Sequence, residues 1–221
     1  MIDSGHFGGY LLLLLKGVLV TLELSFASLI FGTVGGVLLG VLRTARAAPM
    51  RALPLFYIEI VRSTPFLVLL FFIYYGLPLA LNTDIPAYPA AIAALSIYCS
   101  AYMAEVVRAG LQSVARGQAE AAAALGLRYR SIMRLVILPQ AMRVMVPPTI
   151  GVYISTIKES SLASVIGFVE LLGTGTEIRE ANAGRGTADV LIFVAVCYFL
   201  ICFALSRLGR RMEGRTVMRT A

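Results

Sequence analysis

Apolar positions fall in long blocks along this chain, separated by short polar tracts. Five blocks approach the roughly 20 residues that cross a hydrocarbon core of about 30 Å. They lie at residues 18–42, 53–75, 89–107, 135–157 and 190–205. The first apolar stretch begins earlier, at Tyr10, and is too long for one span. Lys16 and Gly17 interrupt it, which predicts a short interfacial segment through Leu15 ahead of the span. Residues 161–173 are apolar but too few to cross, so they are expected to be re-entrant or interfacial. The tract 174–189 reads as a polar connection. The pattern predicts an all-α polytopic membrane protein, one transmembrane domain over 1–221 with five helices.

Charge sets the expected orientation. One set of connections holds Arg43, Arg46 and Arg51, then Arg108, Arg116, Arg128, Arg130 and Arg134, then Arg207, Arg210, Arg211, Arg215 and Arg219. The other holds Lys16, Lys158, Arg179 and Arg185, with Glu177, Glu180 and Asp189 against them. Basic residues gather in cytoplasmic loops. The N-terminus is therefore expected outside, the C-terminus in the cytoplasm, and the long loop 108–134 on the cytoplasmic side. The same asymmetry explains the net charge of +7 without invoking nucleic acid. Composition leaves no room for a soluble domain: 59% of residues are hydrophobic and 14% charged, against about 45–50% and 25% in soluble domains. The N-terminus carries Asp3 where a signal peptide is basic, and no small-residue cleavage site follows its leucines.

Catalytic chemistry finds little material. His6 is the one histidine, so no histidine-based triad or intramembrane metal site is expected. No phosphate-binding G-x-x-x-x-G-K-[ST] loop occurs; GTGTEI and GRGTAD lack the lysine. Cys99, Cys197 and Cys202 lie inside apolar runs without paired spacing and read as buried thiols. No catalytic residue, metal or cofactor is expected, and any ATP is bound by another chain.

Polar residues inside apolar blocks are the candidates for function, because charge in a membrane faces a cavity or protein rather than lipid. Gly32, Gly36 and Gly40 repeat every four residues on one face of the first span and predict close helix packing. Its partner, in this chain or another, is left open by the sequence. Glu59 and Arg62 are three apart and can pair on one helix face. Ser63 and Thr64 precede Pro65, whose missing amide predicts a kink that their hydroxyls help to satisfy. Glu105 and Arg108 repeat the spacing and read as an interfacial pair. Lys158, Glu159, Ser160 and Ser161 stand beside the short apolar segment, as polar groups do at broken-helix transport sites. With Glu59, Arg62, Ser63 and Thr64 they are the candidates for a substrate path or gate.

One segment carries a family resemblance. Residues 120–139 read Glu120-Ala121-Ala122, three residues, Gly126, nine residues, then Val136-Ile137-Leu138-Pro139. This resembles the EAA loop of ABC importer permeases, E-A-A-x(3)-G-x(9)-I-x-L-P, with Val136 in place of Ile. An alanine-rich helix over 118–125 agrees with it. Glu120 is expected in the first turn, where the helix dipole favours a carboxylate, and Gly126 at its end. The resemblance implies a cytoplasmic coupling helix that docks on an ATPase subunit, through Glu120, Ala121, Ala122, Gly126, Leu138 and Pro139. The stretches YIEIVRSTPFLVLLFFIYYGLP and KESSLASVIGFVELL resemble the polar-amino-acid group of those permeases. That group implies four kinds of partner: a separate ATP-binding cassette ATPase, a second permease (a paralogue or a second copy), an extracytoplasmic substrate-binding protein and the lipid bilayer. It implies alternating access and no nucleic acid. A secondary transporter or channel shares the span count, but no inverted repeat accompanies it. A membrane enzyme lacks the clustered carboxylates.

Overall fold

The computed structural model describes residues 4–45, 47–182 and 187–217, with side chains from 10 to 212 within those ranges. Arg46, Arg185 and Arg219 lie outside the described residues, and the side chains of His6 and Arg215 lie outside them too. The described residues form helices α1 (Ser4–Leu42), α2 (Ala48–Ser63), α3 (Phe66–Leu81), α4 (Ala87–Gln112), α5 (Arg116–Ala124), α6 (Tyr129–Ile166), α7 (Leu171–Ala181) and α8 (Thr187–Val217). α1, α4, α6 and α8 are long and apolar enough to cross a membrane, and α2 with α3 makes a fifth if the bent pair is one span.

Three segments differ from the expected pattern. α1 runs through Lys16 and Gly17 without a break. Glycine costs only about 1 kcal/mol inside a helix, and here it is a packing position: a Cβ at Gly17 would lie 2.9 Å from Thr174 Oγ1 of α7. The expected kink at Pro65 is a full break, with α2 and α3 meeting at 108°. Proline at the junction offers no amide to continue the ladder, and Thr64 is extended at ψ 130°. Residues 161–173, expected to be re-entrant or interfacial, are not one helix. They comprise tight turns that end α6, a left-handed turn at Gly167 (φ 81°) and the start of α7. α7 then continues to Ala181, through the tract expected to be a polar connection.

α4 is the central helix. Its small residues Ala90, Ala91, Ala94, Ala101 and Ala104 are buried with Leu95 and Cys99. Membrane helices gain little from hydrophobicity against lipid, so close packing of small residues holds them together. α1 supplies the other half of that contact. A Cβ at Gly32 would sit 2.5 Å from Cys99 Cβ, and one at Gly40 would sit 2.7 Å from the Ala104 carbonyl oxygen; Gly36 is equally crowded by Met103. The glycine ladder therefore packs within this chain, on α4. A second apolar cluster of Leu14, Leu171, Ile178, Val190 and Val194 joins α1, α7 and α8. The outer faces of α1 and α8 stay exposed and apolar, with Leu19, Phe26 and Phe31 on one and Ile192, Phe199 and Leu200 on the other.

Candidate functional site: a coupling helix and a polar seam

α5 begins at Arg116, two residues earlier than the alanine run suggests. Glu120 is consequently in the second turn and not the first, beyond the reach of most of the dipole effect. Ala122 is the buried residue of this helix, while Ala121, Ala123, Ala124 and Glu120 are exposed. The helix ends in a Schellman arrangement. Leu127 N–H donates to the Ala122 carbonyl at 3.2 Å, and Gly126 N–H donates to the Ala123 carbonyl at 2.9 Å. Gly126 has φ 81°, and a Cβ there would meet nothing within 4 Å. Glycine is needed for its backbone conformation and not for space.

The chain then enters α6 through a π turn at Met133–Ile137. Leu138 and Pro139 open the regular α-helical part, both exposed. Proline in a first turn gives up an amide that has no intrahelical partner anyway. Gln140 Nε2 donates to the Val136 carbonyl at 2.9 Å, occupying an acceptor beside the widened turn. π turns recur where a helix is functionally distorted.

The base of α1 is tied to α4 nearby. Arg108 donates to Glu105 at 2.7 and 3.0 Å, which is the pair its spacing suggests. Arg43, in the turn that follows α1, pairs with the same carboxylate, and Gln112 accepts from Arg108 at 2.6 Å. This carboxylate joins two helices, one more than the sequence spacing shows.

The path candidates separate into groups. Arg62 does not pair with Glu59; its guanidinium lies over the Tyr102 ring of α4, 5.4 Å from the centroid. A cation held over an aromatic face gains about 0.5–2 kcal/mol. Glu59 and Ser63 are exposed. Thr64 Oγ1 donates to the Ile60 carbonyl at 2.8 Å, satisfying backbone next to Pro65. Tyr102 is 4.7 Å from Tyr98, ring to ring. Arg62, Tyr102 and Tyr98 thus form one polar row across α2 and α4, and Glu159 of α6 is half-buried. Lys158 is exposed. Ser160 and Ser161 donate to their own helix, to the Ile157 and Lys158 carbonyls, each at 2.8 Å. Among the described residues no cluster of three metal-ligating side chains occurs.

Sequence reasoning missed a polar hub around Glu170. Its side chain is fully buried, yet four donors reach it. Tyr198 Oη donates at 2.6 Å, Gly173 N–H at 2.9 Å, Leu172 N–H at 3.0 Å and Thr21 Oγ1 at 3.3 Å. Glu170 is the N-cap of α7 and bridges α1 and α8. The available signal was a carboxylate just ahead of an apolar helical run. Its partners lie 149 and 28 residues away, beyond any local pattern.

Comparison with known proteins adds what geometry does not. Residues 32–217 match the family model described as binding-protein-dependent transport system inner membrane component. The chain belongs to that family. It is 37% identical over 208 residues to the probable glutamine ABC transporter permease protein GlnP of Bacillus subtilis, covering 93% of this chain and 94% of that one. It is 37% identical over 199 residues to the L-cystine transport system permease protein TcyB of the same organism, covering 90% and 84%. A solved structure, the crystal structure of an amino acid ABC transporter with histidines, matches with a TM-score of 0.88 at 34% identity, over 97% of this chain and 99% of that one. The chain is therefore the permease subunit of an ABC importer, a multi-pass protein of the cytoplasmic membrane. Its ATP hydrolysis takes place on a separate subunit. The family works with an ATPase, a substrate-binding protein and a second permease.

Proposed function

We propose that this permease passes a polar amino acid inward by alternating access, with its C-terminus cytoplasmic and its N-terminus outside. The observation that carries this reading is α5. It is a small-faced helix that buries Ala122 and turns Glu120, Ala121, Ala123 and Ala124 away from the bundle, with an end shaped by Gly126. Such a face suits a groove on an ATPase, and the π turn after it leads motion of α5 directly into α6. Glu120, Ala121, Ala122 and Gly126 form the coupling element, with Leu138 and Pro139 as its membrane-side anchor.

The row Arg62–Tyr102–Tyr98, taken together with Glu159 of α6, supports a polar amino acid as cargo. It offers a cation and a carboxylate on different helices, the two signs that an α-carboxylate and an α-ammonium require. Relatives carry names for glutamine and for cystine transport, so the side-chain preference differs within the family. Lys158, Ser160 and Ser161, where the regular part of α6 gives way to its tight terminal turns, border this path, as do Glu59, Ser63 and Thr64 at the α2–α3 break.

The test is uptake into proteoliposomes holding the permease, its ATPase and its binding protein. Uptake that requires ATP and is blocked by vanadate is expected. Uptake driven by an ion gradient without ATP contradicts the proposal. Glu159→Gln is expected to change substrate-stimulated ATP hydrolysis, and an unchanged rate and substrate dependence removes Glu159 from the path.

A further inference from the structure

The arginine-rich end of the molecule holds a cavity that neither α5's outer face nor the polar row uses. It measures about 420 Å³ and lies between the inner side of α5, the α1–α2 turn and the start of α6. Arg43, Arg51 and Arg116 line it, and no acidic residue does. The nearest neutralising group, Glu105, is shared between Arg43 and Arg108. Arg43 keeps its Nε buried and without a hydrogen-bond partner. Arg51 and Arg116 are exposed, and neither forms an ion pair among the described residues. The N-cap of α5, Ala115, supplies no side-chain cap; Gln118 N–H donates to the Ala115 carbonyl at 3.0 Å, which leaves the Arg116 and Gly117 amides open to an anion. Charge, an orphaned donor and helix amides converge on one space.

A second cavity shares the α1–α2 turn and has the opposite character. It measures about 490 Å³, and its lining, including Leu39, Leu42, Met50, Leu53 and Phe56, is almost wholly apolar. We propose that an acidic phospholipid binds at this turn. Its phosphate lies among Arg43, Arg51, Arg116 and the first amides of α5, and one acyl chain lies along the apolar groove. The pairing of the two cavities favours a lipid over a free anion, since a free anion leaves the groove without an occupant. Basic pockets between membrane helices take acidic headgroups for this reason. The lipid contacts α5 from the bundle side through Ala115 and Ala119, while Glu120 and Ala121 remain free on the other side. It therefore holds the coupling helix against the membrane without competing for the ATPase. The leaflet follows from the orientation proposed above, but lipid retention is read without any transport assay.

The test uses the permease purified with its ATPase in mild detergent, with bound lipids counted by native mass spectrometry. Phosphatidylglycerol or cardiolipin is expected to be enriched over phosphatidylethanolamine relative to the source membrane. Arg51→Gln with Arg116→Gln is expected to lower that retention by roughly tenfold or more. Arg51→Lys with Arg116→Lys keeps the charge and is expected to retain most of it. Assembly with the ATPase, checked by gel filtration, shows that each variant is folded. Equal retention in the glutamine variant, or no enrichment in the wild type, overturns the proposal. Displacement of the lipid by millimolar inorganic phosphate also overturns it, because the ligand is then a free anion.

Discussion

The Glu170 hub and the α5 end solve opposite problems with similar materials. Glu170 is buried and receives four donors from its own chain. α5 buries one residue, Ala122, and leaves Glu120 exposed, with no ion pair among the described residues. A buried carboxylate that is fully satisfied makes a rigid joint, and losing its partners is costly. An exposed helix of small residues contributes little to its own fold, so its value lies in what docks against it. The two regions also differ in how they meet α1. Thr21 fixes α1 to the hub, while α5 reaches the bundle through the turn at Leu127 and the π turn of α6. On the proposed coupling role, one end of the permease is built to stay and the other to be moved.

Substitutions sharpen this division, in order of effect. The largest is expected at the α1–α4 seam that both regions depend on. Gly40→Leu drives a side chain into the Ala104 carbonyl and Val107, and overpacking of this kind costs about 1–3 kcal/mol or more. Loss of folded protein in detergent is expected, and a normal melting temperature would show that the seam is looser than described. Next comes Glu170→Ala, which strands buried donors from Tyr198 and the α7 amides at about 1–3 kcal/mol. Its melting temperature and its transport are expected to fall together. Glu170→Gln keeps the volume and one acceptor oxygen and is expected to fall less; equal losses in the two would mean that the full carboxylate, and not the space it fills, carries the joint. The smallest effect on stability belongs to Gly126. A non-glycine residue at φ 81° costs about 1–2 kcal/mol, and Asp is among those that tolerate this region best.

The sequence shows the helical spans and the coupling segment because each is written locally. A block of apolar residues is visible whatever it packs against, and the EAA spacing lies within twenty residues. The glycine ladder was visible as well, though its partner was not, since α4 carries only an unremarkable run of alanines. What stayed hidden depends on distance. Gly17 looks like a break until Thr174 is beside it. Arg62 looks like the partner of Glu59 until Tyr102, forty residues on, takes it from another helix. Glu170 looks like one charge in an apolar tract until Thr21 and Tyr198 arrive. Long-range contacts overrode local spacing wherever a polar side chain had a better partner on a neighbouring helix.

The central claim is that α5 transmits force through an outward face and not through the stability of the fold. Co-purification of the ATPase with the Gly126→Asp permease tests it most directly, with membrane insertion and melting temperature measured on the same sample. The account predicts a permease that inserts and melts near the wild-type temperature, carries little or no ATPase and takes up no substrate. A variant that keeps its ATPase in normal amount and still transports would contradict it.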